Sequence, residues 1–388
     1  MYKDSADVVI IGGGVSGLSS AYFLARAGVD VVVVEKGIVG WEASGRNGGS
    51  MSPRADEPPV IPMANKAREI WRTLDEELGY PTEFVHQGRL QVALREEEMD
   101  LVSTMEANCR KFGVEARVVD PPGVRDMIPE ITDRVLGGFY FPNAGHANPQ
   151  RTVQAYAWAV QDRGGRLYQH TAVTGINLKG GRVSSVETTA GTIGAGVVVS
   201  AAGPQTGIIG DMVGVHVPVA PARVEIIATV PLEPRFDMFL SGNGLYGRQT
   251  LRGNLIFGGG PHEWIDVDLT GEPSKPNTPL IRSIARRLAE LLPGIEDLSV
   301  VRAWSGVVEQ TPDAFPIIDK LDYPEGFVVV TVSGNGFGLS PATGTAVKEL
   351  ITDGHCSFDI DRFKLDRFSG VSRDWRKSWG WEVGAYST

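Results

Sequence analysis

Two runs of four apolar residues, Val8–Ile11 and Val31–Val34, stand near the start of the chain with no polar alternation. Such runs predict strands buried on both faces, as in a parallel sheet covered by helices. Between them Val15, Leu18, Tyr22 and Leu24–Ala25 recur at helical spacing, which makes the segment a βαβ unit. Buried-strand runs return at residues 196–203 and Phe327–Val332. One-sided apolar stripes predict helices over Ala64–Leu78 (Ile70, Trp71, Leu74, Leu78), Glu96–Phe112, Gln150–Gly164, Thr278–Leu292 (Leu280, Ile284, Leu288, Leu291) and Pro341–Ile351. Alternating segments predict half-buried strands at Gly88–Leu94, Gly137–Phe141, Leu167–Val173, Ala222–Val230, Gly244–Leu251, Asn254–Gly258, Ser299–Val307 and Phe315–Ile318, with a hairpin over 183–193. The polar, glycine-dense segment Gly40–Ser50 fits neither period and reads as a loop.

This order predicts an α/β protein: a Rossmann-type dinucleotide-binding domain with a nested α+β domain on an antiparallel sheet. The expected division is 1–85 + 145–222 + 298–388 for the first and 86–144 + 223–297 for the second, since 388 residues exceed one ordinary core. Charge narrows the partners. With 37 basic and 47 acidic side chains the net charge is −10, which argues against nucleic acid or an anionic membrane surface. No apolar run reaches the roughly 18–20 residues of a membrane span. The first strand begins almost at once, without a signal-peptide pattern, so a cytoplasmic location is expected. Cys109 and Cys356 are too few and too distant for a disulfide framework or redox motif. The six histidines lack metal-ligand spacing, so no metal site is expected.

The βαβ unit carries chemistry. Gly12, Gly14 and Gly17 form a G-x-G-x-x-G directly after the first strand, and the second strand ends on Glu35. Gly12 permits the tight turn, Gly14 lets a pyrophosphate approach the backbone, and Gly17 lets helix and strand pack closely. The helix start at Val15 and Ser16 offers N–H groups to phosphate. Glu35, about 20 residues on, suits ribose hydroxyls and would repel the 2′-phosphate of NADP; Lys36 follows it.

Three further motifs follow in order: Ala43-Ser44-Gly45-Arg46-Asn47-Gly48-Gly49; a strand ending Ala201-Ala202-Gly203-Pro204-Gln205; and Ser333-Gly334-Asn335-Gly336-Phe337-Gly338-Leu339, with Pro341 and Gly344 beyond. With these, the chain resembles, over nearly its whole length, the D-amino-acid oxidase, glycine oxidase and sarcosine oxidase family of FAD enzymes. In style it is similar to the β subunits of sarcosine oxidase and of hydroxyproline, proline and opine dehydrogenases. The resemblance implies FAD as cofactor. It places Ser44–Gly49 around the flavin ring, Val173 by the adenine, and the backbone of Gly336–Leu339 by the ring oxygen that gains charge on reduction.

Departures from the pattern matter as much. Monomeric sarcosine oxidase ties its FAD to a cysteine shortly before Thr-Pro-Asp; here Thr311-Pro312-Asp313 is preceded by Gly306 and no cysteine, so FAD is expected to be non-covalent. Glycine oxidase and D-amino-acid oxidase place a carboxylate-binding arginine in that stretch, where this chain has Val307, Val308 and Glu309. The family's oxygen-activating lysine would fall near Gly258–Pro261, which has none, and this favours dehydrogenase over oxidase.

The resemblance implies oxidation of a C–N bond of an amino acid or secondary amine, with hydride passing to flavin N5 and the imine then hydrolysed. The expected substrate-binding residues are Arg54, Arg223, Tyr246 and Arg248, with Arg252, His262 and Trp264 as further candidates. Glu309 is either the partner of a cationic substrate group or a surface salt-bridge partner. Expected partners are a small amine or amino acid and partner subunits or an electron-transfer protein. Alternative readings are the flavin subunit of an electron-relay complex and an FAD dehydrogenase acting on a hydroxyl.

Overall fold

The structure, a computed structural model, describes residues 5–269, 274–295 and 297–379. The first four and last nine residues of the expected cofactor domain therefore lie outside the described residues.

Two eight-stranded sheets organise the chain. The first runs in the order Ile317–Lys320, Phe327–Thr331, Gly191–Ser200, Ser5–Ile11, Val31–Val34, Arg166–Tyr168. All its neighbours on this path are parallel except the edge strand Ile317–Lys320. Val31–Val34 is buried at every position, as an unalternating run requires in a sheet covered on both faces. The hairpin Val173–Lys179/Arg182–Thr188 branches off Gly191–Ser200.

The first helix, Val15–Arg26, is buried over ten of its residues because helices flank it on two sides. One is Pro149–Asp162, started by Asn148, whose side chain accepts from the N–H groups of Gln150 and Arg151. The other is Gly336–Thr352, which crosses so closely that a Cβ on Gly344 would stand 2.6 Å from the Ser19 carbonyl. That helix begins five residues before the expected Pro341, which sits inside it.

The second sheet runs Val300–Gln310, Ala220–Pro231, Asn254–Trp264, Leu245–Gln249, Phe239–Gly242, Arg89–Ala93, Gly137–Phe141, Arg117–Val119. It is antiparallel except where Phe239–Gly242 meets Arg89–Ala93. Helix Thr278–Leu291 covers one face, its stripe Leu280, Ile284, Leu288 and Leu291 buried as the spacing predicts. The last three pack with Ile227, Leu240, Leu255 and Phe257.

Several expectations need correction. Val300–Gln310 pairs along its length with Ala220–Pro231, so it belongs to the second sheet, not with the parallel sheet to which 298–388 was given. The helix expected over Ala64–Leu78 is two, Ile61–Trp71 and Leu74–Leu78. The strand expected over Leu167–Val173 breaks at His170, whose φ is 52 and whose N–H donates to Gly37 O at 2.8 Å. The expected loop Gly40–Ser50 contains a single helical turn, Ala43–Arg46.

Candidate active site

Two adjoining cavities lie at the C-terminal ends of the parallel strands, the position where open α/β sheets bind ligands. Ile11, Val34, Ala201 and Val330 wall the first. The second, of about 390 Å³, reaches under the antiparallel sheet to Val224, Ile226, Phe239 and Tyr246. Ala43, Asn47, Val308, Gly334 and Phe337 line both.

The first cavity is also lined by Gly12, Gly14, Val15, Ser16, Glu35, Lys36, Ser44, Val173, Ala202, Gly203 and Gly336. Gly12 has a φ of 110, and a Cβ there would meet Ala201 O at 2.4 Å. Gly17 lines neither cavity: its Cβ would meet Gly12 O at 2.0 Å, so its part is helix–strand packing. Gly14 differs from both. Its Cβ would find only the Ser44 side chain within 4 Å, with Oγ at 3.0 Å, and otherwise open cavity. Ser44 Oγ accepts from Val15 N–H at 2.9 Å, so the loop caps the first helix from outside. Glu35 accepts from Gly13 N–H at 2.7 Å and Gly37 N–H at 2.8 Å, which fixes its carboxylate at the strand end.

The second cavity takes in Arg46, Asn47, Gly48, Gly49, Asn335, Gly338 and Leu339. Asn47 staples the turn: its Oδ1 accepts from Gly49 N–H at 2.8 Å, and its Nδ2 donates to Ser44 O at 2.8 Å and Ala43 O at 3.0 Å. Arg46 clasps the loop to the long strand. It donates to Ser305 O at 2.9 Å, its guanidinium lies 4.7 Å from the Trp41 ring centroid, and Trp304 Nε1 donates to Arg46 O at 2.8 Å. Gly45, expected against the flavin, lines neither cavity; a Cβ there would meet Gly40 O at 2.3 Å.

Of the expected substrate residues, Arg54, Tyr246 and His262 line the second cavity. Arg54 is ion-paired to Glu57. No hydrogen bond engages the Tyr246 hydroxyl among the described residues, and burial pushes its phenol up to about 12. Burial lowers His262 to about 4. Arg223, Arg248 and Glu309 need correction. Arg223 pairs with Glu263 and with the buried Glu225, and lines neither cavity. Arg248 is buried beneath the loop, donating from Nε to Gly48 O at 3.0 Å. Glu309 lines the first cavity, not the second: side chains alternate along the strand, so Val308 and Gln310 face the second cavity and Glu309 turns away. It is buried, not a surface residue. Its Oε1 accepts from Thr331 Oγ1 and Val332 N–H, each at 3.0 Å, and burial raises its pKa. Arg252 is exposed and lines neither cavity, and Trp264 is buried in a separate cluster with Ala220 and Ala222.

Arg89 was not foreseen. It lines the second cavity beside Phe239, whose ring centroid lies 5.4 Å from its guanidinium carbon. The alternation of Gly88–Leu94 marked its face as polar, and a polar face on an enclosed cavity reads like one on solvent.

The family profile described as FAD dependent oxidoreductase, DAO, matches residues 7–350. The chain belongs to the DAO family of FAD dependent oxidoreductases. It is 30% identical to sarcosine oxidase subunit beta of Rhodobacter capsulatus, over 94% of this chain and 90% of that one. Glycine oxidase of Geobacillus kaustophilus is 29% identical over 94% of this chain and 97% of its own. The crystal structure of L-proline dehydrogenase from P. horikoshii matches with a TM-score of 0.88 at 26% identity, covering 95% of this chain and 99% of that one. The protein is therefore an FAD-dependent enzyme of this family, with the expected α/β fold. The cavities fit the cofactor: Gly14 leaves backbone open beside a helix start, and an apolar wall of Ile11, Val34 and Val330 leads to the glycine-rich turn Gly334–Gly338. No helix among the described residues is long and apolar enough to cross a membrane.

Proposed function

We propose that this enzyme oxidises a C–N bond of an amino acid or secondary amine, and that it is a dehydrogenase. The carrying observation is the proton chemistry of the second cavity. His262, at about 4, is neutral at pH 7 and holds a proton poorly; Tyr246, at about 12, keeps its own. Burial raises the pKa of Glu57, the one carboxylate on the wall, but its ion pair with Arg54 opposes that rise and occupies the carboxylate. Neither His262 nor Tyr246 is poised near neutrality to act as general base, and Glu57 is held in its ion pair. Removing hydride from an alcohol requires the hydroxyl proton to leave as well, and so a base. A neutral amine needs none, because its nitrogen lone pair stabilises the cation formed. The names of the relatives agree: sarcosine oxidase, glycine oxidase and proline dehydrogenase all name amino acids.

FAD, when bound, supplies the electron-pair acceptor for hydride removal from the carbon bearing nitrogen, and water then hydrolyses the imine. It would be held non-covalently by Glu35 at a ribose, by the helix start at Gly14–Ser16 at the phosphates, by Val173 at the adenine, and by Ser44–Gly49 and Gly336–Leu339 around the ring. The loop staples of Asn47 and Arg46 keep that surface rigid. Val224, Ile226 and Phe239 exclude water from the amine, which favours its uncharged form.

No lysine stands among the residues lining the second cavity, which supports an electron acceptor other than oxygen. The relative named a subunit beta supports a second element, partner subunits that take the electrons. The test is anaerobic bleaching of the flavin by glycine, N-methylglycine and proline against the matching hydroxy acids. Amines should bleach it and hydroxy acids should not; the reverse overturns the reading. The reduced protein should reoxidise faster with a redox dye than with air-saturated buffer.

A further inference from the structure

We infer that Arg89 binds the substrate's carboxylate, and that the substrate carries one carboxylate and no cation besides its amine. This rests on the amine-oxidising reading and assigns its specificity. The strand Val300–Gln310 cannot supply a clamp to this cavity, because it presents Gly306, Val308 and Gln310 there. Three arginines line the cavity, and two are committed. Arg46 is engaged by Ser305 O and the Trp41 ring. Arg54 is neutralised by Glu57.

Arg89 has no carboxylate within ion-pair distance among the described residues, and unlike Arg46 it is not tied to a backbone oxygen. Its one hydrogen bond there is from Nη1 to Ser50 Oγ at 3.1 Å, and its enclosed Nε has no partner. Asp56 favours its charge only from beyond that range. Burial lowers the guanidinium to about 10, so it remains a cation at neutral pH in a wall that desolvates it. A charge in that position lacks its counter-ion, and an incoming carboxylate supplies one with bidentate geometry. The one carboxylate among the lining residues, Glu57, is already paired, and Val224, Ile226 and Phe239 are apolar, so no lining residue supplies a counter-ion to a second cation. A basic amino acid would therefore bury an unmatched ammonium or guanidinium.

The probe is acetate against its neutral isostere acetamide, titrated into FAD-loaded protein and read by the flavin's visible spectrum. Acetate should perturb the spectrum saturably and acetamide should not. Arg89→Met should weaken acetate by more than about tenfold at unchanged FAD content. Arg89→Lys should weaken it less and keep the preference over acetamide, which carries the test if the methionine variant does not load FAD. Removing the neutral pair together, Arg54→Met with Glu57→Gln, should leave acetate within about threefold. The inference is overturned if acetate and acetamide bind alike, or if acetate binding survives Arg89→Met and is lost in the double variant. Acetate binding through Arg89 without bleaching by any amine would remove the amine-oxidising reading and leave this assignment standing. Bleaching by amines, with acetate indifferent to Arg89, would do the opposite.

Discussion

Gly14 and Gly17 belong to one motif, yet the structure separates what their loss should do. At Gly14 a Cβ meets only the Ser44 side chain, with Oγ at 3.0 Å, and the remaining direction is open cavity. Gly14→Val should disturb the Ser44–Val15 hydrogen bond at a cost of about 1 kcal/mol and leave the apoprotein folded. Cofactor binding should suffer far more. A hydrogen bond to a charged group contributes about 1.5–3 kcal/mol, and a helix start favours an anion by about 0.3–1 kcal/mol, up to about 2 in partly buried sites. Holding the pyrophosphate off the backbone should lose roughly 3–5 kcal/mol, a weakening of about a hundredfold to several thousandfold. At Gly17 a Cβ would lie 2.0 Å from a backbone oxygen, so helix and strand must part; Gly17→Ala should destabilise at the upper end of about 1–3 kcal/mol. Urea melts of the apoproteins and FAD titration followed by quenching of flavin fluorescence measure the two effects separately. Wild-type FAD affinity in Gly14→Val, or an apoprotein as unstable as Gly17→Ala, would refute the reasoning.

Three other outcomes follow from the site and its surroundings. Flavin reduction plotted against pH should show an ionisation that tracks the amine pKa of each substrate, since His262 and Tyr246 titrate near 4 and 12; a fixed ionisation near 6–7 for every substrate would reveal a base on the protein. Glu309→Gln should retain an acceptor for Val332 N–H and bind FAD nearly normally, while Glu309→Leu should lose about 1–3 kcal/mol of stability in urea melts; neither should alter the ratio of Michaelis constants for cationic and neutral substrates, because the carboxylate faces the first cavity. Burial raises Glu225 to about 7 from 4.5, so its contribution favours the fold below pH 4.5 and is lost as pH rises through 7; wild type should lose about 2–3 kcal/mol between pH 5 and 8 that Glu225→Gln does not lose.

The cofactor end of this site was legible because its chemistry is local. Strand, glycines, helix and Glu35 are contiguous, and the run Val31–Val34 admits one environment. Ser44–Gly49 was legible as a polar, glycine-rich loop but not as a helical turn, since its shape comes from the Asn47 staple and from contact with Trp304. The substrate end was not legible, because cavity and solvent both ask for polar side chains. Arg89 and Arg223 each sit on a strand of the second sheet; only the fold shows that one faces a cavity and the other meets Glu263 and Glu225. Glu309 shows the cost of ignoring period two: one position along the strand moved it from the second cavity to the first. Pro341 suggested a helix start, but the glycine-rich turn before it already had helical geometry, and tertiary packing against the first helix carries the proline inside.

The central claim, oxidation at nitrogen without a protein base, is met most directly by an anaerobic single turnover with N-methylglycine. The products per flavin reduced decide it. One equivalent of carbonyl compound together with one equivalent of released amine is the predicted result. Reduced flavin with the C–N bond intact, or reduction only by the corresponding hydroxy acid, would contradict it.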